Sequence, residues 1–170
     1  MQTAEQGLEP GANFAVARTS RQFGSRSSVG GVFVNKEVAG SGIASADYNR
    51  TVGVDARLGL GESFTATGFA ARTSTFHAEG VTPEGGQYAY SAEAEYQSRT
   101  LLLWMSHAAV GESFNPEAGF LERKAYRSLD SGIFTYLRYP SVKWLREIRP
   151  HSSFVTYYDL DGFKESEKIH

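Results

Sequence analysis

The chain has 170 residues, enough for one domain with a sizeable core. Its 17 basic and 19 acidic residues are mixed along the chain and leave a net charge of −2, so no general pull toward nucleic acid is implied. There is no cysteine, which excludes disulfides, thiolate metal sites and thiol nucleophiles.

Residues 1–12 are a polar lead-in that ends in the turn signal Pro10-Gly11. They carry no basic n-region and no apolar h-region, so they are not a secretory signal. The expectation is that the chain is a piece of something longer. Strands are predicted over 14–22 and 29–36, joined by a turn at Gly24-Ser25-Arg26-Ser27. A small-residue loop, 37–47, leads to a third strand over 48–60. Gly61-Glu62 turns the chain tightly into a fourth, 64–76. A loop rich in Gly and Pro, 79–86, precedes a fifth strand at 88–97, and a quick turn near Ser98 gives a sixth at 100–110. A seventh is predicted at 125–139 and an eighth near 154–159, followed by a polar tail at 163–170. No segment keeps a 3.6-residue period; the one doubtful stretch, 141–150, is bracketed by Pro140 and Pro150. The expected fold is all-β: an antiparallel up-and-down meander of about eight long strands over residues 13–162.

Side chains alternate between the two faces of a strand. In the fifth strand Tyr88, Tyr90, Ala92, Ala94 and Tyr96 share one face, and Ala89, Ser91, Glu93, Glu95 and Gln97 share the other. In the third, Tyr48, Val52, Val54, Ala56, Leu58 and Leu60 oppose Asn49, Thr51, Asp55 and Arg57. Long strands with tyrosines recurring on the apolar face and charges on the other are the signature of a transmembrane β-barrel with a polar lumen. Long and short connections interleave as such barrels require, and no apolar run approaches the length of a membrane helix. Lipid-facing candidates are Tyr88, Tyr90, Tyr96, Val52, Val54 and Leu58; lumen-facing candidates are Arg50, Asp55, Arg57, Glu93 and Glu95. Arg18, Arg21, Arg26 and Arg72 join this set as arginines that would brace the wall or line a water path.

Other motifs carry less. His77, His107, His151 and His170 show no second histidine or carboxylate at the spacing of a zinc motif, so no metal or cofactor is expected. Glu112, Glu117 and Glu122 share a loop, 111–123, in which Pro116 and Gly119 set the backbone and Phe114 and Phe120 pack it down. A glycosidase would need paired carboxylates such as Glu112 and Glu117, but a sequence does not fix their separation. Asp159-Leu160-Asp161-Gly162 lacks the remaining ligands of a calcium loop and is predicted as a hairpin turn. Gly30-Gly31 and Gly40-x-Gly42 open no helix, so no dinucleotide fingerprint is present. No G-x-S-x-G element nominates a nucleophile.

Several strings taken together carry a resemblance. They are Arg26-Ser27-Ser28-Val29-Gly30, Asp47-Tyr48-Asn49-Arg50-Thr51-Val52-Gly53-Val54-Asp55, and Phe114-Asn115-Pro116-Glu117-Ala118-Gly119-Phe120-Leu121-Glu122-Arg123. In this order the chain resembles, from about Asn13 to Gly162, an uncharacterised outer-membrane β-barrel domain (a domain of unknown function) that follows family-nine carbohydrate-binding modules in large bacterial surface proteins. The resemblance implies an internal fragment of such a barrel and brings no catalytic residue. Carbohydrate binding would belong to a module outside these residues.

The expected function is therefore that of a non-enzymatic barrel segment in the bacterial outer membrane, serving as pore, anchor or transport scaffold. Its expected partners are membrane lipid and the remaining strands of a longer barrel, with no nucleic acid. The alternative is a soluble antiparallel β-barrel or sandwich that turns its tyrosine face inward around a small apolar or sugar ligand.

Overall fold

A computed structural model of the chain describes residues 11–38, 47–76 and 85–170. The described residues form strands and turns without a helix. In chain order the strands are β1 (Ala12–Phe23), β2 (Ser27–Val38), β3 (Tyr48–Leu60), β4 (Phe64–Phe76), β5 (Tyr88–Gln97), β6 (Leu101–Val110), β7 (Tyr126–Thr135), β8 (Leu137–Arg138), β9 (Glu147–Ile148), β10 (His151–Tyr158) and β11 (Lys164–Ile169). Nine of them make one antiparallel sheet in the order β1-β2-β3-β4-β5-β6-β7-β10-β11, an up-and-down meander, and β8 pairs with β9 apart from it. The sheet is open, with β1 and β11 as its edges, and every residue of β1 is exposed.

Turn chemistry fixes the hairpins. Gly24 and Gly61 take φ of 60° and 59°, the left-handed region that glycine enters without steric cost. At the next turn the Ser98 hydroxyl accepts from the Leu101 amide (3.1 Å), and the Ser98 amide donates to the Leu101 carbonyl (2.8 Å). The predicted turn at 159–162 forms with Gly162 at φ 95°, and the Asp159 carboxylate accepts from the Phe163 amide at 2.7 Å. These short turns at 24–26, 61–63 and 98–100 lie at one end of the sheet, and the longer connection 111–125 lies at the other. The alternation reverses after β7, where 136–150 at the short-turn end is long and 159–163 at the opposite end is tight.

The bounds of the third, fourth and fifth strands match the sequence expectation, because Gly and polar turn residues flank each. Three points differ. The seventh strand stops at Thr135 instead of running to 139. The doubtful stretch 141–150 is part of a small β-hairpin closed by β8 and β9, held by salt bridges from Arg138 (2.8 Å) and Arg149 to Glu147. Residues 164–169, expected as a polar tail, are the edge strand β11. Its charges come in adjacent pairs, Lys164-Glu165 and Glu167-Lys168, and so occupy both faces of an edge strand. The lead-in at 1–10 and parts of the loops at 37–47 and 79–86 fall outside the described residues.

The pairing registers sort side chains into two faces, because directly paired residues project the same way. One row across all nine strands reads Gln22, Ser28, Arg57, Thr67, Glu93, Ser106, Asp130, Val155, Lys168. A row on the opposite face, from β3 to β11, reads Leu58, Ala66, Ala94, Met105, Ser131, Phe154, Ile169. The apolar face lies open: Val52, Val54, Leu58, Leu60 and Met105 are each more than half exposed. The buried hydrophobic cluster is small, Ala89, Val110 and Phe114, and sits on the polar face under the connection 111–125. β1 sorts less cleanly, since Phe14 and Val16 share the polar face with Arg18.

Candidate functional site

The polar face is built around the connection between β6 and β7, which folds back across the long-loop end of the sheet. Phe114 anchors it, 6% exposed against Ala89 and Val110. Asn49 of β3, 3% exposed, sits at its centre. Its side-chain amide donates to the Thr75 hydroxyl (2.8 Å) and to the Asn115 carbonyl (2.7 Å), and its side-chain oxygen accepts from the Glu117 amide (3.3 Å). The Thr73 hydroxyl, 1% exposed, accepts from the Asn115 amide at 3.1 Å. Lys36 of β2 closes the arrangement with a salt bridge to Glu117 at 2.8 Å. The loop's own polar backbone is thus satisfied by strand side chains, as a segment taken out of water requires. Glu117 also accepts from the Asn115 side-chain amide (3.4 Å), and Gly119 donates to the Pro116 carbonyl (2.8 Å).

Two glycines open slots in the same face. A Cβ on Gly30 would stand 2.9 Å from the Asp55 carboxylate, and through this gap Asp55 meets Arg18 of β1 at 2.9 Å, across β2. A Cβ on Gly132 would stand 2.1 Å from the Trp104 ring. Trp104, paired with Gly132, lies over the bare backbone and donates its indole N–H to Asp130 at 2.9 Å. Both slots pin register by seating a large side chain where only glycine leaves room. Arg18 is about half exposed and Asp55 about a third, so their pair is worth at most about 1 kcal/mol and acts as a brace.

Asp55, Arg57, Glu93 and Glu95 share the polar face, while Tyr88, Tyr90, Tyr96, Val52, Val54 and Leu58 share the opposite one. Arg50 is a correction. It pairs with Ser74 and Asn35 two residues from Val52, and the period of two puts it on the apolar face. There its guanidinium lies 4.2 Å over the Tyr48 ring and donates to Asn35 and Glu37 at the strand end. Arg21 and Arg72 fall on that face as well, Arg21 with its guanidinium 5.7 Å over Phe23. Arg26, in a turn, donates to the Gly61 carbonyl and the Thr65 hydroxyl. Phe120 is a second correction, since it is 91% exposed and does not pack the loop down.

The apolar face ends in aromatic residues at both margins. Tyr48, Phe76, Tyr88 and Tyr158 mark the long-loop end, with Tyr48 stacked on Phe76 at 5.6 Å. Phe23, Phe64 and Tyr96 mark the short-turn end. Between them, Val52 to Leu60 spans about 27 Å along β3, or about 20 Å along the normal at a strand tilt of about 40°. His107 interrupts this belt and stacks on Tyr90 at 5.6 Å.

Sequence reasoning missed Asn49, Thr73, Lys36 and Trp104 as organisers of the polar face. The available signal was the pair of strand glycines, Gly30 and Gly132, which mark close approach. As for catalysis, the Glu117 carboxylate is occupied by Lys36 and Asn115. Among the described residues no group of three or more His, Asp or Glu converges to hold a metal ion. No family model, no curated protein and no solved structure matches the chain.

Proposed function

We propose that this chain is a wall segment of an outer-membrane β-barrel, completed by strands outside these residues, with its polar face toward a wet lumen. It serves as a pore, anchor or transport scaffold and performs no catalysis. The observation that carries this is the open apolar belt, bounded by aromatics at both ends and backed by a polar row across nine strands. An exposed apolar surface of this extent needs a cover, and acyl chains fit a belt of about 20 Å flanked by tyrosine and phenylalanine. Arginines at the margins, lying over Tyr48 and Phe23, would reach the headgroup layer along their aliphatic stems. In hydrocarbon an edge strand such as β1 must be paired, so the full wall includes further strands or a second copy.

The infolded connection 111–125 narrows the polar face at the long-loop end, which favours a gated or constricted path over a plain anchor. Any sugar recognition stays with a carbohydrate-binding module outside these residues. The test is folding in a membrane mimic. The chain refolded with detergent or lipid vesicles is expected to gain β-structure and resist trypsin, and to aggregate without them. A monodisperse, folded monomer in plain buffer would overturn the proposal in favour of the soluble alternative.

A further inference from the structure

At the short-turn end of the polar face two histidines far apart in sequence meet. His151 opens β10 and His170 follows β11, and the backbones of Ser153 and His170 exchange hydrogen bonds at 2.8 and 2.9 Å. This register sets the two imidazoles on one diagonal, with Nε2 of His151 3.1 Å from Nε2 of His170. The His151 ring is held from two sides. Its Nδ1 lies 3.2 Å from the Arg149 carbonyl, and its plane stacks on Phe134 at 5.1 Å between centroids.

A carbonyl at Nδ1 keeps the proton there and leaves Nε2 as a lone pair, the tautomer a metal-ligating histidine usually has. Two imidazole nitrogens on one cation stand about 2.9 Å apart in a square-planar site and about 3.4 Å apart in a tetrahedral one, from metal–nitrogen distances of about 2.0–2.1 Å. The observed 3.1 Å falls between these limits. Arg149, two residues from His151, is engaged in a salt bridge to Glu147.

We propose that His151 and His170 form a two-imidazole site for a divalent transition cation, copper(II) most tightly. Without metal, His170 donates its Nε2 proton to His151. On binding, that proton moves to Nδ1 of His170 through solvent, both Nε2 lone pairs face the cation, and water fills its remaining positions. Imidazole ligands and the Irving–Williams order favour copper(II) over the other first-row ions. The site ties edge strand β11 to β10 and does not depend on the membrane assignment.

The experiment is copper(II) titration of the folded full chain, read by calorimetry and electron paramagnetic resonance. One equivalent is expected to bind with hyperfine structure from two nitrogens. His151→Gln or His170→Gln is expected to weaken binding at least tenfold and reduce the count to one nitrogen, whereas His107→Gln changes neither. A readout free of folding effects is diethyl pyrocarbonate labelling of the unsubstituted chain. Zinc is expected to protect His151 and His170 together and leave His107 reactive. Equal copper affinity in the His151→Gln chain, or zinc protection that does not distinguish these two histidines, would overturn the site and leave a simple imidazole–imidazole hydrogen bond.

Discussion

At the scale of single residues, Gly132 and Asn49 carry local specificity and Thr156 opposes it. Gly132 gives Trp104 the bare backbone it lies on. Gly132→Ala pushes a methyl into the ring and breaks the indole bond to Asp130, at an expected loss of about 1–3 kcal/mol. Urea unfolding in detergent micelles checks this, and Trp104→Leu in the same background should recover part of the loss. Thr156 presents the opposite case: its hydroxyl is fully buried without a hydrogen-bond partner. Thr156→Val removes an orphaned polar atom at nearly constant volume and is expected to stabilise by about 1 kcal/mol in the same assay. Asn49 serves three groups at once. Asn49→Ala leaves a part-buried carbonyl and amide unpaired, costing about 1–2 kcal/mol. Single cysteines placed at Asn115 and Glu117 should then label faster with a water-soluble maleimide; unchanged labelling would mean that the latch lies elsewhere.

At the scale of elements, period-two alternation made β3 and β5 legible, and the flanking glycine and polar turns set the bounds of β4 between them. Arg50 escaped because its charge outweighed its parity: an even-numbered neighbour of Val52 belongs with Val52 whatever its chemistry. β11 escaped because charged residues fall on both of its faces, so it has no apolar signature. The infolded connection 111–125 was legible as a packed loop through Pro116, Gly119 and Phe114, but its partners Asn49 and Thr73 lie on strands remote in sequence, where no local pattern marks them. The β8–β9 hairpin depends on charge. Hydrogen bonds from Arg138 and then Arg149 hold the Glu147 carboxyl below its ordinary range. A folded-state value below the unfolded one contributes stability above the usual carboxylate range and loses it as pH falls through the lowered value. Amide protection of Leu137 and Ile148 should therefore fall in acid, and in Glu147→Gln it should be low at neutral pH and flat below it.

At the scale of the whole molecule, the nine-stranded meander has two unlike faces and two unpaired edges. Its buried hydrophobic residues are too few for a water-soluble domain core of this length: Ala89, Ala109, Val110 and Phe114 among the described residues. On the proposed reading, lipid against the exposed Val52, Val54, Leu58 and Met105 would supply the stabilisation that so small a core does not. Edge closure then follows from the lack of water in hydrocarbon to satisfy β1.

The orientation of the two faces is the central claim, and one measurement addresses it directly. Nitroxide labels at Val54, Ala94 and Met105 on one face, and at Arg57, Glu93 and Ser106 on the other, are read in lipid vesicles for relaxation by oxygen and by a water-soluble nickel chelate. Oxygen access is expected for the first three and chelate access for the second three. Chelate access at Val54, Ala94 and Met105, or exclusion of both agents there, would contradict this orientation.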